Sequence, residues 1–334
     1  MKLATYQTAD GPRLGIVLAE QGQIVNATAA CHRLLDSHHH AVFSMQALID
    51  SGEVGLSLLR RLPLQDPAAI GPFTHDLARI RLLAPLPVPP QLRDCSVFAQ
   101  HVSHAPLGMQ RLKAALDGQT LGAQPEAAVP EVYRAQPVWY ISNRFSVVGH
   151  DAVVRWPAYS RVMDFELEVA IVIGKGGNDI PAEKARSHIF GYTIMNDFSA
   201  RDQQRREMEA GLGPTKGKSF DTGNSIGPWI VTADEIEDPY VLAVAVRVNG
   251  EEWVRTTTAG MLHSFEQIIA FISRNETLHP GEIIAGGTVG GCCGLEMGRF
   301  LADGSTIELD VAGIGILRNK VVASPQAGAL LTRV

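Results

Sequence analysis

The stretch Asp164-Phe165-Glu166-Leu167-Glu168-Val169-Ala170-Ile171-Val172-Ile173 constrains this chain more than any other. Its apolar residues recur at every second position, which is the period of a β-strand. Phe165, Leu167, Val169, Ile171 and Ile173 point one way, so Glu166 and Glu168 share the other face, roughly 6.5–7 Å apart. That face continues into Ala170 and Val172, so the two carboxylates stand where a strand enters a core. Carboxylates in such a place repel each other and lose hydration, and something must compensate. A divalent cation held by oxygen ligands does so. The competing reading is a surface strand with a solvated acidic face.

The rest of the chain has the composition of an ordinary globular protein. Its 334 residues, 46% hydrophobic and 19% charged, suffice for one large or two modest domains with ample core. A net charge of -6 argues against a nucleic-acid or anionic-membrane partner. No apolar run approaches the roughly 18–20 residues that span a bilayer. The opening Met1-Lys2-Leu3-Ala4-Thr5-Tyr6-Gln7 lacks a signal-peptide pattern. Cys31, Cys95, Cys292 and Cys293 have neither zinc-type spacing nor a disulfide-framework pattern. The expectation is a cytoplasmic protein with free thiols.

An α+β organisation emerges along the chain. Residues 1–84 form a small mixed β domain, with strands expected at 2–6, 14–19, 23–27 and 79–83 and helical spacing at 45–49 and 56–62. His38-His39-His40 reads as a solvated loop, because three adjacent side chains cannot converge on one ion from a helix or a strand. The proline-rich crossing at 85–93 is the domain boundary. Residues 94–334 form the β-rich second domain, in which Gln110 to Arg134 reads as a long mobile excursion. A second strand, Phe190 to Asp197, ends on a carboxylate, and Ser199-Ala200-Arg201-Asp202 is expected to cap a helix running to about Glu209. Asn249-Gly250 joins a hairpin, 264–273 is an amphipathic helix, and strands near Phe300, at 307–311 and at 314–317 close the chain.

Glu166, Glu168 and Asp197 make a plausible three-oxygen metal site with positions left open for water and substrate. Arg201, Lys216 and Lys218 follow closely, so the cluster is either an ion-pair network or a site for an anionic substrate, with Arg201 a candidate contact. The run Gly286-Gly287-Thr288-Val289-Gly290-Gly291 lacks the Gly-Lys-Ser/Thr ending of a phosphate loop, and its glycines fit close backbone approach instead. Cys292 and Cys293 fit small core positions.

Glu166-x-Glu168, the stretch from Gly191 through Asp197 and Asp202 to Gln204, and Gly217-Lys218-Ser219 resemble the fumarylacetoacetate hydrolase family over about residues 92–322. The resemblance implies a small N-terminal domain, a rolled mixed β-sandwich as catalytic domain and a homodimer. It implies Mg²⁺ or Mn²⁺ on Glu166, Glu168 and Asp197, with Asp94 a further ligand. Through the spacing Asp94-x6-His101 it makes His101 the general base. It places Tyr140, Gln204, Lys218 and Thr288 against substrate, Lys218 holding a developing oxyanion or a substrate carboxylate.

Two departures bear on specificity. Ser96 and Met208 stand where the family has tyrosines, which enlarges the pocket, makes it less polar and argues against fumarylacetoacetate itself. The His-x-x-Glu dyad of the smaller acylpyruvase members is also missing, since His104 follows His101 at that spacing; Glu296, after the glycine run, is the candidate that orients His101. The leading expectation is metal-dependent hydrolysis of a carbon–carbon bond in a small 1,3-diketone or acylpyruvate. The alternative is a lyase or isomerase of 2-oxo acids: hydratase, decarboxylase or tautomerase.

Overall fold

The computed structural model describes residues 1–122 and 128–334. The strand Glu166–Ile173 lies in the interior of a mixed sheet of twelve strands among the described residues, antiparallel to Ile189–Asp197 on one side and to Ile283–Cys293 on the other. All eight of its residues are buried. The two-residue period explains this, because each face of the strand meets its own core. Phe165, Leu167, Val169, Ile171 and Ile173 pack toward a second, five-stranded sheet with Val246, Leu309 and Leu317. Ala170 and Val172 face the other way, into a core shared with Leu48, Ile49 and Leu59 of the N-terminal segment. The surface-strand reading is excluded.

The N-terminal segment joins the same sheet. Lys2–Thr8 pairs with Asn224–Thr232, and the order runs on through Gly11–Leu18 and Gln23–Asn26 to Thr74–Asp76. The proline-rich crossing separates stretches of sequence, while sheet and core continue across it. The strand Leu92–Cys95, which carries Asp94, opens within the last residues of that crossing and runs parallel to Ile283–Cys293.

Several local expectations are met by identifiable chemistry. Asn249 and Gly250 both take positive φ, 51° and 80°, as a tight hairpin turn of this kind requires. Phe265–Ile272 begins with a capping box between Ser264 and Gln267. His39 accepts from the Ala41 amide at the start of the turn His40–Val42, so the histidine run caps a short helical turn.

Others are corrected. The excursion expected over 110–134 is helical at both ends, within Ala99–Leu116 and Glu131–Ala135; residues 117–122 and 128–130 have no regular structure, and 123–127 lie outside the described residues. The helix Arg201–Met208 forms without a side-chain cap. The Ser199 hydroxyl donates to the Asp197 carbonyl instead, and Asp202 accepts from the Ser160 hydroxyl and the Arg161 amide. No strand forms at Phe300.

Candidate active site

Three strands of the large sheet bring the acids together, with Ile283–Cys293 lying between the strand of Asp94 and that of the two glutamates. Asp94 stands on Leu92–Cys95, Glu166 and Glu168 on the interior strand, and Asp197 at the end of Ile189–Asp197. Ligand atoms of Asp94, Glu168 and Asp197 all lie within 4.8 Å of one another, and all three residues are buried. Tyr140 Oη lies 2.8 Å from an oxygen of both Asp94 and Asp197. Thr288 faces Glu168 across the strand pair, and the Gly287 amide donates to Glu168 at 3.1 Å. The glycine at 287 is required twice over: its φ is +88°, and a Cβ there would sit 2.4 Å from the Cys95 carbonyl oxygen.

Burial, reinforced by mutual repulsion, pushes Glu168 and Asp197 well above the usual carboxylate range, although Lys218 opposes this at Asp197. Burial raises Asp94 as well, against the pull of Lys218. Such groups are stable when protonated or when a cation neutralises them. Asp197 Oδ1 is buried and finds no donor among the described residues, which is the position of an unused ligand atom. The set is all oxygen and anionic, so it fits a hard divalent cation.

Glu166 is held differently. Burial would raise it, yet Lys218 and Arg201 bring it well below the usual range. Its two oxygens accept from Arg201 Nη2 at 2.7 Å and from Lys218 Nζ at 2.6 Å. Lys218 also bonds Asp197. Arg201 is 1% exposed and donates to Asp164, Glu166 and Gln204. Its guanidinium ties Asp164 and Glu166 together at the floor of the site and lines the cavity.

His101, near the start of the helix Ala99–Leu116, approaches from the side. Its Nδ1 lies 2.7 Å from Glu296 Oε1 and its Nε2 lies 4.0 Å from Glu166 Oε1. The Gly291 amide donates to the other Glu296 oxygen. Burial opposes ionisation of Glu296, but its bond to His101 outweighs that and holds its carboxyl below the usual range. An ionised Glu296 accepts the Nδ1 proton and leaves the Nε2 lone pair facing the acids. His104 Nδ1 reaches the same carboxylate at 3.8 Å.

Asp164 and Cys293 are the site residues that sequence reasoning missed. Asp164 accepts from Arg201 and from the Gly294 and Leu295 amides, which anchors the short helix Gly294–Met297 bearing Glu296. The signal was its parity with Glu166 and Glu168. The Cys293 thiol donates to Glu296 at 3.4 Å, and burial pushes it well above the normal thiol range, so it is no nucleophile. The acids, His101, Tyr140, Gln204, Lys218 and Thr288 line one cavity of 580 Å³, with Ser96 and Met208 in its wall.

Residues 110–322 match the family model described as fumarylacetoacetate (FAA) hydrolase C-terminal. The chain belongs to the fumarylacetoacetate hydrolase family. Among curated members it is 34% identical over 254 residues to oxaloacetate tautomerase YisK of Bacillus subtilis, covering 75% of this chain and 76% of that one. It is 30% identical over 327 residues to the mitochondrial oxaloacetate tautomerase fahd2 of Xenopus laevis, covering 96% and 90%. Among solved structures it resembles the fumarylacetoacetate hydrolase of Exiguobacterium antarcticum, with a TM-score of 0.72, 28% identity and coverage of 97% and 100%. A 5-carboxymethyl-2-hydroxymuconate delta-isomerase from Mycobacterium smegmatis gives 0.67 and 26% with the same coverage. The α+β architecture expected from the sequence is that of the family, and the chain is an enzyme of it. Relatives with isomerising names stand beside hydrolases and weigh toward the alternative expectation over C–C hydrolysis.

Proposed function

We propose that this enzyme moves a proton on a 2-oxo acid, interconverting keto and enol forms with a divalent cation, Mg²⁺ or Mn²⁺, in place. Asp94, Glu168 and Asp197, with Glu166 beside them, would hold the cation. When bound, such a cation supplies Lewis-acid stabilisation of negative charge developing on the keto oxygen. The observation that carries the reading is the 2.7 Å pair of His101 Nδ1 and Glu296, which leaves a base at Nε2 beside a cavity where burial keeps the thiols of Cys95 and Cys293 protonated. His101 Nε2 takes the proton from C3 of the substrate, and Glu296 stabilises the imidazolium so formed. The same imidazolium returns the proton at the C2 oxygen. Burial disfavours charge on Lys218, but Asp197 and Glu166 override it and keep the amine protonated, so Lys218 holds negative charge without titrating. The relatives named oxaloacetate tautomerases support this choice of reaction.

Hydrolysis is the second reading, because the same dyad can draw a proton from water, and a solved neighbour is named a fumarylacetoacetate hydrolase. One experiment separates the two. Oxaloacetate and an acylpyruvate are incubated with Mg²⁺-loaded enzyme in D₂O and followed by NMR. Deuterium entering C3 of an intact 2-oxo acid is the expected result. Cleavage into two carbonyl products without prior exchange would replace tautomerisation by hydrolysis.

A further inference from the structure

The cavity lining divides into two chemically unlike parts. Its charged groups gather around the acids, whereas Val102, Ala105, Met109, Met208, Leu212 and Leu295 line much of the remainder, with Ser96 and Tyr133 as polar members. Val102, Ala105 and Met109 recur at helical spacing, so the helix Ala99–Leu116 presents an apolar stripe to the cavity. Met208 is 51% exposed and Leu212 90% exposed, so two large apolar side chains stand in water at the rim of a polar site.

Cations decide what else can bind. Among the described residues the cavity is lined by just two, Arg201 and Lys218, and both are engaged by the acids of the floor. Arg134 lines a separate cavity with Gln100, Ser103 and His104. A second substrate carboxylate lying along the apolar part would be desolvated with no further Lys or Arg in the described lining to offset it, which is costly. An apolar chain there would gain by covering the stripe and the rim. The volume of 580 Å³ falls in the range of sites for ligands well above four carbons, about 300–1,000 Å³.

We infer that this site takes a 2-oxo acid whose far end is an apolar chain or ring in place of a second carboxylate. The inference rests on the 2-oxo acid reading above and separates this chain from relatives named for oxaloacetate. The head group stays with the acids and Lys218, and the tail lies along Val102 and Met109 to Met208.

Binding without turnover tests it. The Mg²⁺-saturated enzyme is titrated calorimetrically with oxamate, N-alkyl oxamates of increasing length, and N-(carboxyalkyl) oxamates of matching length. Affinity is expected to rise by up to about four-fold per methylene, with each carboxyalkyl compound at least about ten-fold weaker than its alkyl match. Met208→Arg, at a rim position whose exposure spares the fold, should narrow or reverse that gap. Equal or tighter binding of the carboxyalkyl series, no binding of any oxamate, or an unchanged gap in Met208→Arg would overturn the inference. Deuterium exchange at C3, measured separately, keeps the two readings apart. Tail preference without exchange removes the tautomerase reading and leaves the tail site standing. Exchange with a preference for dicarboxylates removes the tail site alone.

Discussion

Glu166 and Glu168 are one strand repeat apart and carry opposite protonation tendencies. Burial acts on both, but Lys218 and Arg201 reach Glu166 and hold it ionised, whereas Glu168 meets Asp94 and Asp197 and is driven well up. Glu168 thus needs the cation more than Glu166 does. Glu168→Gln should keep the fold and lose bound metal; elemental analysis after dialysis showing undiminished metal would contradict the assignment. Glu296 gives the pH dependence. Its carboxyl is depressed in the folded state, so the stability it contributes is present above its unfolded value, about 4.3, and is lost as pH falls through the folded one. The stability gap between wild type and Glu296→Gln should accordingly be widest near neutrality and shrink on acidification, as read by denaturant titration at each pH. A constant gap would mean that Glu296 is not ionised against His101.

At the scale of elements, the dyad depends on how closely a helix and a turn approach. Gly108 lets the Ala99–Leu116 helix press against the backbone of Leu295, and a Cβ there would sit 2.3 Å from the Leu295 carbonyl oxygen. His101 and Glu296 are carried by these two elements. Gly108→Ala should cost about 1–3 kcal/mol of stability through overpacking and should lower turnover more than metal binding; equal losses in both would point to general unfolding. This helix was not legible in the sequence. Pro106 and Gly108 are poor helix formers, and the stripe at Val102, Ala105 and Met109 is interrupted by Ser103 and His104. The strand Glu166–Ile173 was legible because both of its faces are pure: one wholly apolar, the other acidic and then apolar. Glu296 was found from its place after the glycines, whereas Asp164 was passed over although it shares parity with both glutamates. The helix Ala27–Leu35 was not anticipated beyond the expected strand over 23–27, although Asn26 caps it by accepting from the Ala29 amide. Tertiary pairing of Gln23–Asn26 looks the same from sequence whether or not a helix follows.

At the scale of the whole molecule, the N-terminal segment covers one face of the sheet that holds the acids. Ala170, Val172, Ile226 and Ile230 share a core with Leu48, Ile49 and Leu59. Residues 85–334 produced alone should expose that face and aggregate or bind a hydrophobic dye; a monodisperse, cooperatively melting fragment would show that the two parts fold independently. Among the described residues no helix is long and apolar enough to cross a membrane. The central claim is that His101 moves the substrate proton while the acids hold the cation. Its most direct test is C3 deuterium exchange of a 2-oxo acid by wild type, His101→Ala and His104→Ala, each saturated with Mg²⁺. His101→Ala is predicted to exchange roughly 10²–10⁴-fold more slowly with metal content and oxamate binding retained, and His104→Ala to stay close to wild type. Exchange at the wild-type rate in His101→Ala, or its loss in His104→Ala alone, would contradict the account.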